Sequence, residues 1–199
     1  MQKAGIFLGF APWIVFGVIA APSTLAWAAL AALVCSLVLA VPEFRRSRSM
    51  SILDGAGLVF FAVLVVLTLV LDRSALLWLE DHAQLLSSVV IAVVAVGSLA
   101  VGRPFTEYYA KRTTPRQYWD SPTFKRINRV LTATWGAVFV LHVCCFLLAS
   151  MGVAPDLFSW VIPAISLVVA VRYSSWYPDH VTGTDDRQHV AHEAGRAVA

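Results

Sequence analysis

The chain has 199 residues, a formal net charge of +3, 59% hydrophobic residues and only 14% charged residues, with a mean hydropathy of +0.74. A water-soluble domain carries about 25% charged residues, so this composition excludes a chain that covers itself with polar surface in water. The apolar runs are apolar on every face, whereas a β-barrel needs short segments of alternating polarity. The composition therefore predicts an all-α, polytopic membrane helical bundle.

Six apolar runs have the length of a helix that crosses a bilayer, which needs about 20 residues. They lie at residues 5–21, 24–42, 52–71, 83–101, 128–150 and 157–175. Because short and long links alternate between the runs, the six spans are predicted to pair as three hairpins. A cleaved signal peptide is the alternative interpretation of the N-terminus. A retained first helix is simpler, because Pro12 and Trp13 interrupt the run and the next run begins at once.

The distribution of basic residues predicts the orientation of the bundle. With the N-terminus inside, 14 of the 15 Lys and Arg residues lie on the inner side and only Arg73 lies outside. Cytoplasmic loops of membrane proteins carry this excess of positive charge. We therefore expect a multi-pass protein of the inner (plasma) membrane with both termini in the cytoplasm. Residues 1–178 form the six-helix domain, with a cytoplasmic loop at 102–127, and residues 179–199 form a disordered cytoplasmic tail.

Small and acidic residues stand out in the first three spans. Gly5 and Gly9 form a GxxxG pattern, which lets a neighbouring helix approach closely. Asp54 lies in the first turn of the third span, where the helix dipole or an arginine of the preceding "RRSR" segment stabilises a carboxylate. If the protein is an enzyme, Asp54 is also a candidate acid or base.

The link between the fourth and fifth spans is rich in aromatic and basic residues: "RPFTEYYAKRTTPRQYWDSPTFKRINR", residues 103–129. Such a mixture predicts helical segments at the membrane surface, where rings lie among headgroups and cations meet anionic lipid. The predicted membrane-interface residues are Arg103, Phe105, Tyr108, Tyr109, Arg112, Tyr118 and Trp119. The same mixture suits single-stranded nucleic acid, but its position beside two spans favours lipid, and no nucleic acid is expected. Glu107 is a candidate acid or base whose simpler role is an ion pair with Arg103 or Lys111.

His142 is the only ionisable residue near the middle of a span, and it shares one helical face with Asn128, Thr132 and Trp135, with Cys145 one turn beyond. One interpretation is a stripe that handles protons or contacts a ligand. The favoured interpretation is a neutral imidazole that donates a hydrogen bond to a neighbouring helix. The predicted helix-packing residues are Gly5, Gly9, Thr132, Trp135 and His142. No catalytic residue is assigned; the candidates, if the protein is an enzyme, are His142, Asp54 and Glu107.

The C-terminal tail contains His189 and His192, whose spacing on a helix allows two imidazoles to share a metal. The tail offers no third ligand at a defined distance. Neither a metal site nor a cofactor is therefore predicted.

Several short motifs recur in a fixed order along the chain: "FLGFAPWIVFGVI", the basic loop "PEFRRSRS", Arg103-Pro104-Phe105, the pair Pro115 and Trp119, and "TATWGAVFVLH". Over about residues 5–178, this layout resembles the bacterial intracellular septation protein A family, also called inner membrane-spanning proteins. The resemblance implies a role in cell-envelope integrity and septum formation, without a defined biochemical activity.

Three classes of function remain open. The favoured one is a non-enzymatic envelope protein whose partners are membrane lipids and membrane proteins of the envelope or division machinery, with a homo-oligomer also possible. The others are a small membrane-embedded enzyme acting on a lipid or isoprenoid, and a small transporter. A cavity ringed by Asp54, Glu107 and His142 favours the enzyme, whereas a solid apolar bundle favours the partner-binding role.

Overall fold

A computed structural model of the chain is helical. It describes the backbone of residues 4–21 and 23–197 and the side chains of residues 9–21 and 23–183. Seven α-helices follow one another, with no strand in these ranges: α1 (Ala4–Ile19), α2 (Leu25–Ser47), α3 (Ile52–Val70), α4 (Arg73–Ala100), α5 (Phe105–Ala110), α6 (Pro122–Ser150) and α7 (Ile162–Ala197). A 3₁₀ turn at Arg116–Tyr118 and a π-helical turn at Leu157–Val161 complete the described backbone. The predicted all-α class is confirmed.

Five helical stretches in the described part of the chain are long and apolar enough to cross a membrane: α2, α3, α4, α6 and Leu157–Gly183. The apolar part of α1, Gly9–Ile19, is shorter than these five. With 16 residues in all, α1 extends about 24 Å, against about 30 Å for the hydrocarbon core of a bilayer. The length and composition of these helices are compatible with a membrane protein. The six-span topology stays a prediction because it depends on α1.

Serine caps begin two of the long helices. The Ser51 hydroxyl accepts a hydrogen bond from Leu53 N at 3.2 Å at the start of α3, and the Ser121 hydroxyl accepts one from Phe124 N at 3.2 Å at the start of α6. Pro122 occupies the first turn of α6, where its missing N–H costs nothing. Each of these helices therefore begins at a serine whose hydroxyl satisfies one of the first free N–H groups.

The last helix differs from its prediction at both ends. A wide π-helical turn at Leu157–Val161 precedes it. Pro163 lacks the N–H that an α-helix would use four residues after Ser159, which accounts for the irregular turn at this point. Beyond residue 178, where the sequence predicts the tail to begin, α7 continues as a helix to Ala197. The side chains of the tail, including His189 and His192, lie outside the described residues.

Helix packing extends beyond the three predicted hairpins. Neighbours in the chain do pack, with α1 on α2, α3 on α4 and α6 on α7. The most extensive contact, however, joins α4 to α6, and α2 packs on α3 as extensively as it packs on α1. These contacts tie the hairpins into one bundle, and the arrangement of three hairpins is not confirmed.

Aromatic side chains fasten α1 to the centre of the bundle. The ring of Phe10 stacks on Trp135 of α6 with centroids 4.6 Å apart, and the ring of Trp13 lies 4.9 Å from Phe61 of α3. Phe16 is fully buried in the same cluster. Aromatic pairs of this kind add stability beyond the burial of their area, so α1 belongs to the core despite its length.

The two ends of the bundle differ in charge. One end, called the basic end below, carries the α2–α3 link and the segment between α4 and α6. The other, called the acidic end, carries the remaining links. A hydrogen bond of 3.2 Å from Ser23 N to Glu80 Oε2 joins the α1–α2 link to α4. The charged residues of the acidic end are one arginine and four acids: Arg73, Asp72, Glu80, Asp81 and Asp156.

Candidate functional site

The segment between α4 and α6 packs against the helices at the basic end of the bundle. Phe105 and Tyr109 of α5 are each 3% exposed and belong to the hydrophobic core. The Thr106 hydroxyl donates to the Asn128 carbonyl at 2.9 Å and lies 2.8 Å from the Thr132 hydroxyl. Phe105 and Tyr109, predicted to contact the membrane surface, therefore lie inside the protein, because α5 turns one face toward α1 and α6.

Tyr109 connects α5 to the first and third helices. Its hydroxyl donates to Asp54 Oδ1 at 3.1 Å, so the partner of Asp54 is a tyrosine rather than an arginine of the α2–α3 link. Burial, reinforced by the Asp54 carboxylate, raises the pKa of Tyr109, so the hydroxyl stays a donor near neutral pH. A Cβ at Gly9 would overlap the hydroxyl and lie 2.9 Å from Cε1 of Tyr109. Gly9 thus makes room for a side chain, whereas Gly5 lies outside the described side chains.

Ion pairs hold the rest of this segment. Glu107, a candidate acid or base, accepts a contact of 2.6 Å from Lys111 Nζ one turn later, as its simpler role predicts. Arg112 forms an ion pair with Glu43 of α2, and its guanidinium lies 5.0 Å from the centre of the Tyr108 ring. These contacts join α5 and the residues after it to the end of α2.

Cationic and aromatic side chains remain on the outer surface of this segment. The indole N–H of Trp119 donates to the Thr114 carbonyl at 2.9 Å, which fixes the ring. Lys111 Nζ and the Arg116 guanidinium lie 5.3 Å and 5.7 Å from the centre of that ring, and Tyr118 is 52% exposed. We call Lys111, Arg116, Tyr118 and Trp119 the basic-aromatic patch. Contact of the patch, and of exposed Arg103, with lipid stays a prediction.

The polar stripe of α6 is buried along its length, and it faces two different partners. Toward the basic end, Thr132 contacts α5 as described above. Further along, the Trp135 indole N–H donates to the Ser174 hydroxyl of α7 at 3.0 Å, and His142 Nε2 lies 2.8 Å from the Ser166 hydroxyl of α7. Two hydrogen bonds therefore join α6 to α7, and His142 makes one of them.

A cavity of about 520 Å³ lies at the acidic end, between α1, α4, α6 and the start of α7. Aromatic side chains from three of these elements form much of its wall: Phe10, Trp13, Phe139, Phe146 and Trp160. The π-helical turn contributes Ser159 and Trp160 to the lining. π-helical turns are frequent at functional sites, and the volume lies within the range of about 300–1,000 Å³ typical of ligand sites. This cavity is the candidate site.

A few polar groups interrupt the apolar wall. Gln84 Nε2 donates to the Gly17 carbonyl of α1 at 3.1 Å and closes one side of the cavity. Ser88 is 6% exposed and lines the cavity, and its hydroxyl makes no hydrogen bond to any described residue. Asp81 and His82 lie at the outer rim, where the imidazole stacks on Trp78 with centroids 4.3 Å apart.

The three ionisable candidates do not converge on this cavity. His142 lines it, whereas Asp54 lines a separate cleft of about 10 Å³ and Glu107 lies on α5 at the opposite end of the bundle. Within the described residues, no group of three or more His, Cys, Asp or Glu side chains is placed to hold a metal ion. The arrangement offers an amphiphilic binding space rather than a set of converging acids and bases.

Most of the cavity was not predicted. The sequence indicated His142 as a candidate but none of the cavity-lining residues of α4. Their signal was present, because Gln84, Ser87 and Ser88 place polar groups on adjoining helical positions inside an apolar run. The helices that these three side chains face are set by the packing of α4 against α1 and α6, and no local sequence pattern encodes that packing.

No protein-family model matches this chain, and neither a curated protein nor a solved structure matches it.

Proposed function

We propose that this chain is a multi-pass inner-membrane protein that supports the bacterial cell envelope or septum by binding other membrane proteins, without chemistry of its own. The resemblance to the intracellular septation protein A family is part of the proposal and supplies the biological role. The binding surface is the basic-aromatic patch.

The observation that carries this proposal is the fixed presentation of the patch. The segment beneath it is tied to three helices by the Tyr109–Asp54 and Thr106–Asn128 hydrogen bonds and by the ion pair of Arg112. Side chains that are held in place before binding lose less conformational freedom when a partner docks. Arginine, tyrosine and tryptophan are also the residues that dominate binding energy at protein interfaces.

The contacts of the candidate acids and bases also favour a binding protein over an enzyme. Asp54, Glu107 and His142 each have a structural partner, and no two of them share a site. A catalytic acid–base pair requires two groups within reach of the same reacting bond. The enzyme or transporter alternative is supported by one feature, the cavity at the acidic end.

Site-specific photocrosslinking in native membranes tests the proposal. A photoreactive residue at Tyr118 should capture defined membrane proteins, while one at Val66, which is 57% exposed on the apolar face of α3, should capture lipid. A product of twice the chain mass at Tyr118 would identify a homo-oligomer as the partner.

A paired complementation assay supplies the second test. The variant Arg116→Ser/Tyr118→Ser should fail to complement deletion of the gene, while Gln117→Ser, an exposed residue of the same turn, should behave as the parent protein. Full complementation by the double variant would refute the proposed role of the patch.

A further inference from the structure

We propose that the cavity at the acidic end binds one amphiphile with an apolar chain and an amine head group. This site is separate from the basic-aromatic patch, so the inference stands independently of the proposed function. Four features carry it: the depth of the cavity, its hydrogen-bond acceptors, the charge at its rim and its lateral opening.

The depth of the cavity matches one leaflet of a bilayer. Its lining on α1 and the residue that follows it extends from Phe10 to Ala20, which corresponds to about 15 Å along a helix axis. The hydrocarbon core of a bilayer is about 30 Å thick. The cavity thus holds an apolar chain from one side of the membrane only, and Phe10, Trp13 and Phe139 form its apolar inner wall.

The polar groups of the cavity wall include several hydrogen-bond acceptors. The Ser166 hydroxyl donates to the Pro163 carbonyl at 3.0 Å, so its oxygen is free to accept from His142 Nε2–H at 2.8 Å. A neutral imidazole with its proton on Nε2 has an acceptor at Nδ1. Gln84 uses its amide N–H to bind Gly17 O, which leaves its Oε1 as a second acceptor, and the Ser88 hydroxyl has no partner among the described residues. A ligand that brings N–H or O–H groups satisfies these atoms.

The rim selects the charge of the head group. Asp81 lines the cavity and is exposed at its outer edge. Other residues of the same end add Asp72, Glu80 and Asp156, and Arg73 is the only Lys or Arg among the charged residues described there. His82, the other residue at the rim, contacts its own helix, since its Nδ1 atom lies 2.8 Å from the Trp78 carbonyl oxygen. An ammonium group is attracted by this field, whereas a carboxylate or phosphate monoester is repelled.

A lateral opening gives a membrane-dissolved ligand access. Ile14 and Val18 of α1 and Trp160 of the π-helical turn line the cavity, and they are 46%, 74% and 61% exposed. Within the described residues, α1 and α7 are not among the helix pairs that pack closely. The cavity therefore opens between α1 and α7, toward the acyl chains.

Native mass spectrometry of the full chain released from lipid nanodiscs tests the site. The probes are dodecylamine, dodecanol and dodecanoate, which share one alkyl chain and differ in the head group. We expect a single bound copy, with affinity falling in that order. Asp81→Asn removes the rim charge without changing volume and should weaken dodecylamine binding about two- to fivefold, the range of an exposed ion pair, while leaving dodecanol unchanged. Asp156→Asn, an acidic-end control that does not line the cavity, should weaken dodecylamine binding less than Asp81→Asn does and should leave dodecanol binding unchanged.

Nanodiscs of equal parts phosphatidylethanolamine and phosphatidylglycerol with identical chains distinguish the source of the ligand. Retention of one phosphatidylethanolamine per chain, reduced in Asp81→Asn, identifies the ligand as a lipid. Binding of dodecylamine without lipid retention identifies a free amphiphile, and both results support the site. Equal retention of all head groups, unaffected by Asp81→Asn, would show nonspecific lipid filling and overturn the inference.

Discussion

Removing the Tyr109 hydroxyl should loosen the basic end of the bundle. The hydroxyl donates to the Asp54 carboxylate at 3.1 Å; the Tyr109 side chain is buried and Asp54 is half-buried. A hydrogen bond to a charged group contributes about 1.5–3 kcal/mol. Because this distance is longer than the usual O–H···O separation, we expect Tyr109→Phe to lower the free energy of unfolding by about 1.5 kcal/mol. The ring, and with it the packing against Gly9, is retained.

The neighbouring tyrosine supplies a matched control. The Tyr108 hydroxyl donates to the Ser49 carbonyl, also at 3.1 Å, but this bond is exposed and its acceptor is neutral. Tyr108→Phe should therefore cost only about 0.5 kcal/mol. Unfolding is measured in lipid bicelles, with Asp54→Asn and the double variant Tyr109→Phe/Asp54→Asn completing a thermodynamic cycle. Equal losses for the two tyrosines, or no coupling between Tyr109 and Asp54, would refute this account.

The pH dependence of unfolding gives a second readout for the same contact. Because burial raises the pKa of Tyr109 in the folded state, its contribution to stability is fully present below the unfolded value of about 10. That contribution is lost progressively as the pH rises above this value. The difference in stability between the parent protein and Tyr109→Phe should shrink above about pH 10.

Three further predictions concern close packing, the buried histidine and the topology. Gly9→Ala should destabilise the protein by about 1–3 kcal/mol through overlap with Tyr109, and adding Tyr109→Phe should recover part of this loss because the hydroxyl is the nearest atom. His142→Gln should be tolerated in unfolding and complementation assays, whereas His142→Leu should cost about 0.6–2 kcal/mol by removing the hydrogen bond between α6 and the Ser166 hydroxyl of α7. A folded but inactive Gln variant would favour the enzyme or transporter. Reporter fusions at five positions should lie alternately inside and outside, starting inside: Arg48, Glu80, Lys111, Asp156 and Asp185. A fusion at Lys111 or Asp185 that lies outside would contradict the six-span topology.

Several features follow from local sequence alone, because they depend on the backbone and on nearby residues. Long apolar runs can satisfy their polar backbone groups in lipid only by forming helices or closed barrels, and runs apolar on every face exclude the barrel. Ser51 and Ser121 begin their helices because a serine hydroxyl accepts from the first free N–H groups. The helical period also placed Thr132, Trp135 and His142 on one buried face of α6.

The partners of those residues were decided by tertiary structure. Tyr109 meets Gly9 and Asp54, which are 100 and 55 positions earlier in the chain, and the cavity exists only where α1 stands away from α4, α6 and α7. Because lipid is as apolar as the helix surfaces, the hydrophobic effect does not favour one pair of helices over another. Helix pairing therefore depends on close packing and on individual hydrogen bonds between helices. Helix formation was therefore determined by the sequence of each segment, whereas the site was determined by how the helices fit together.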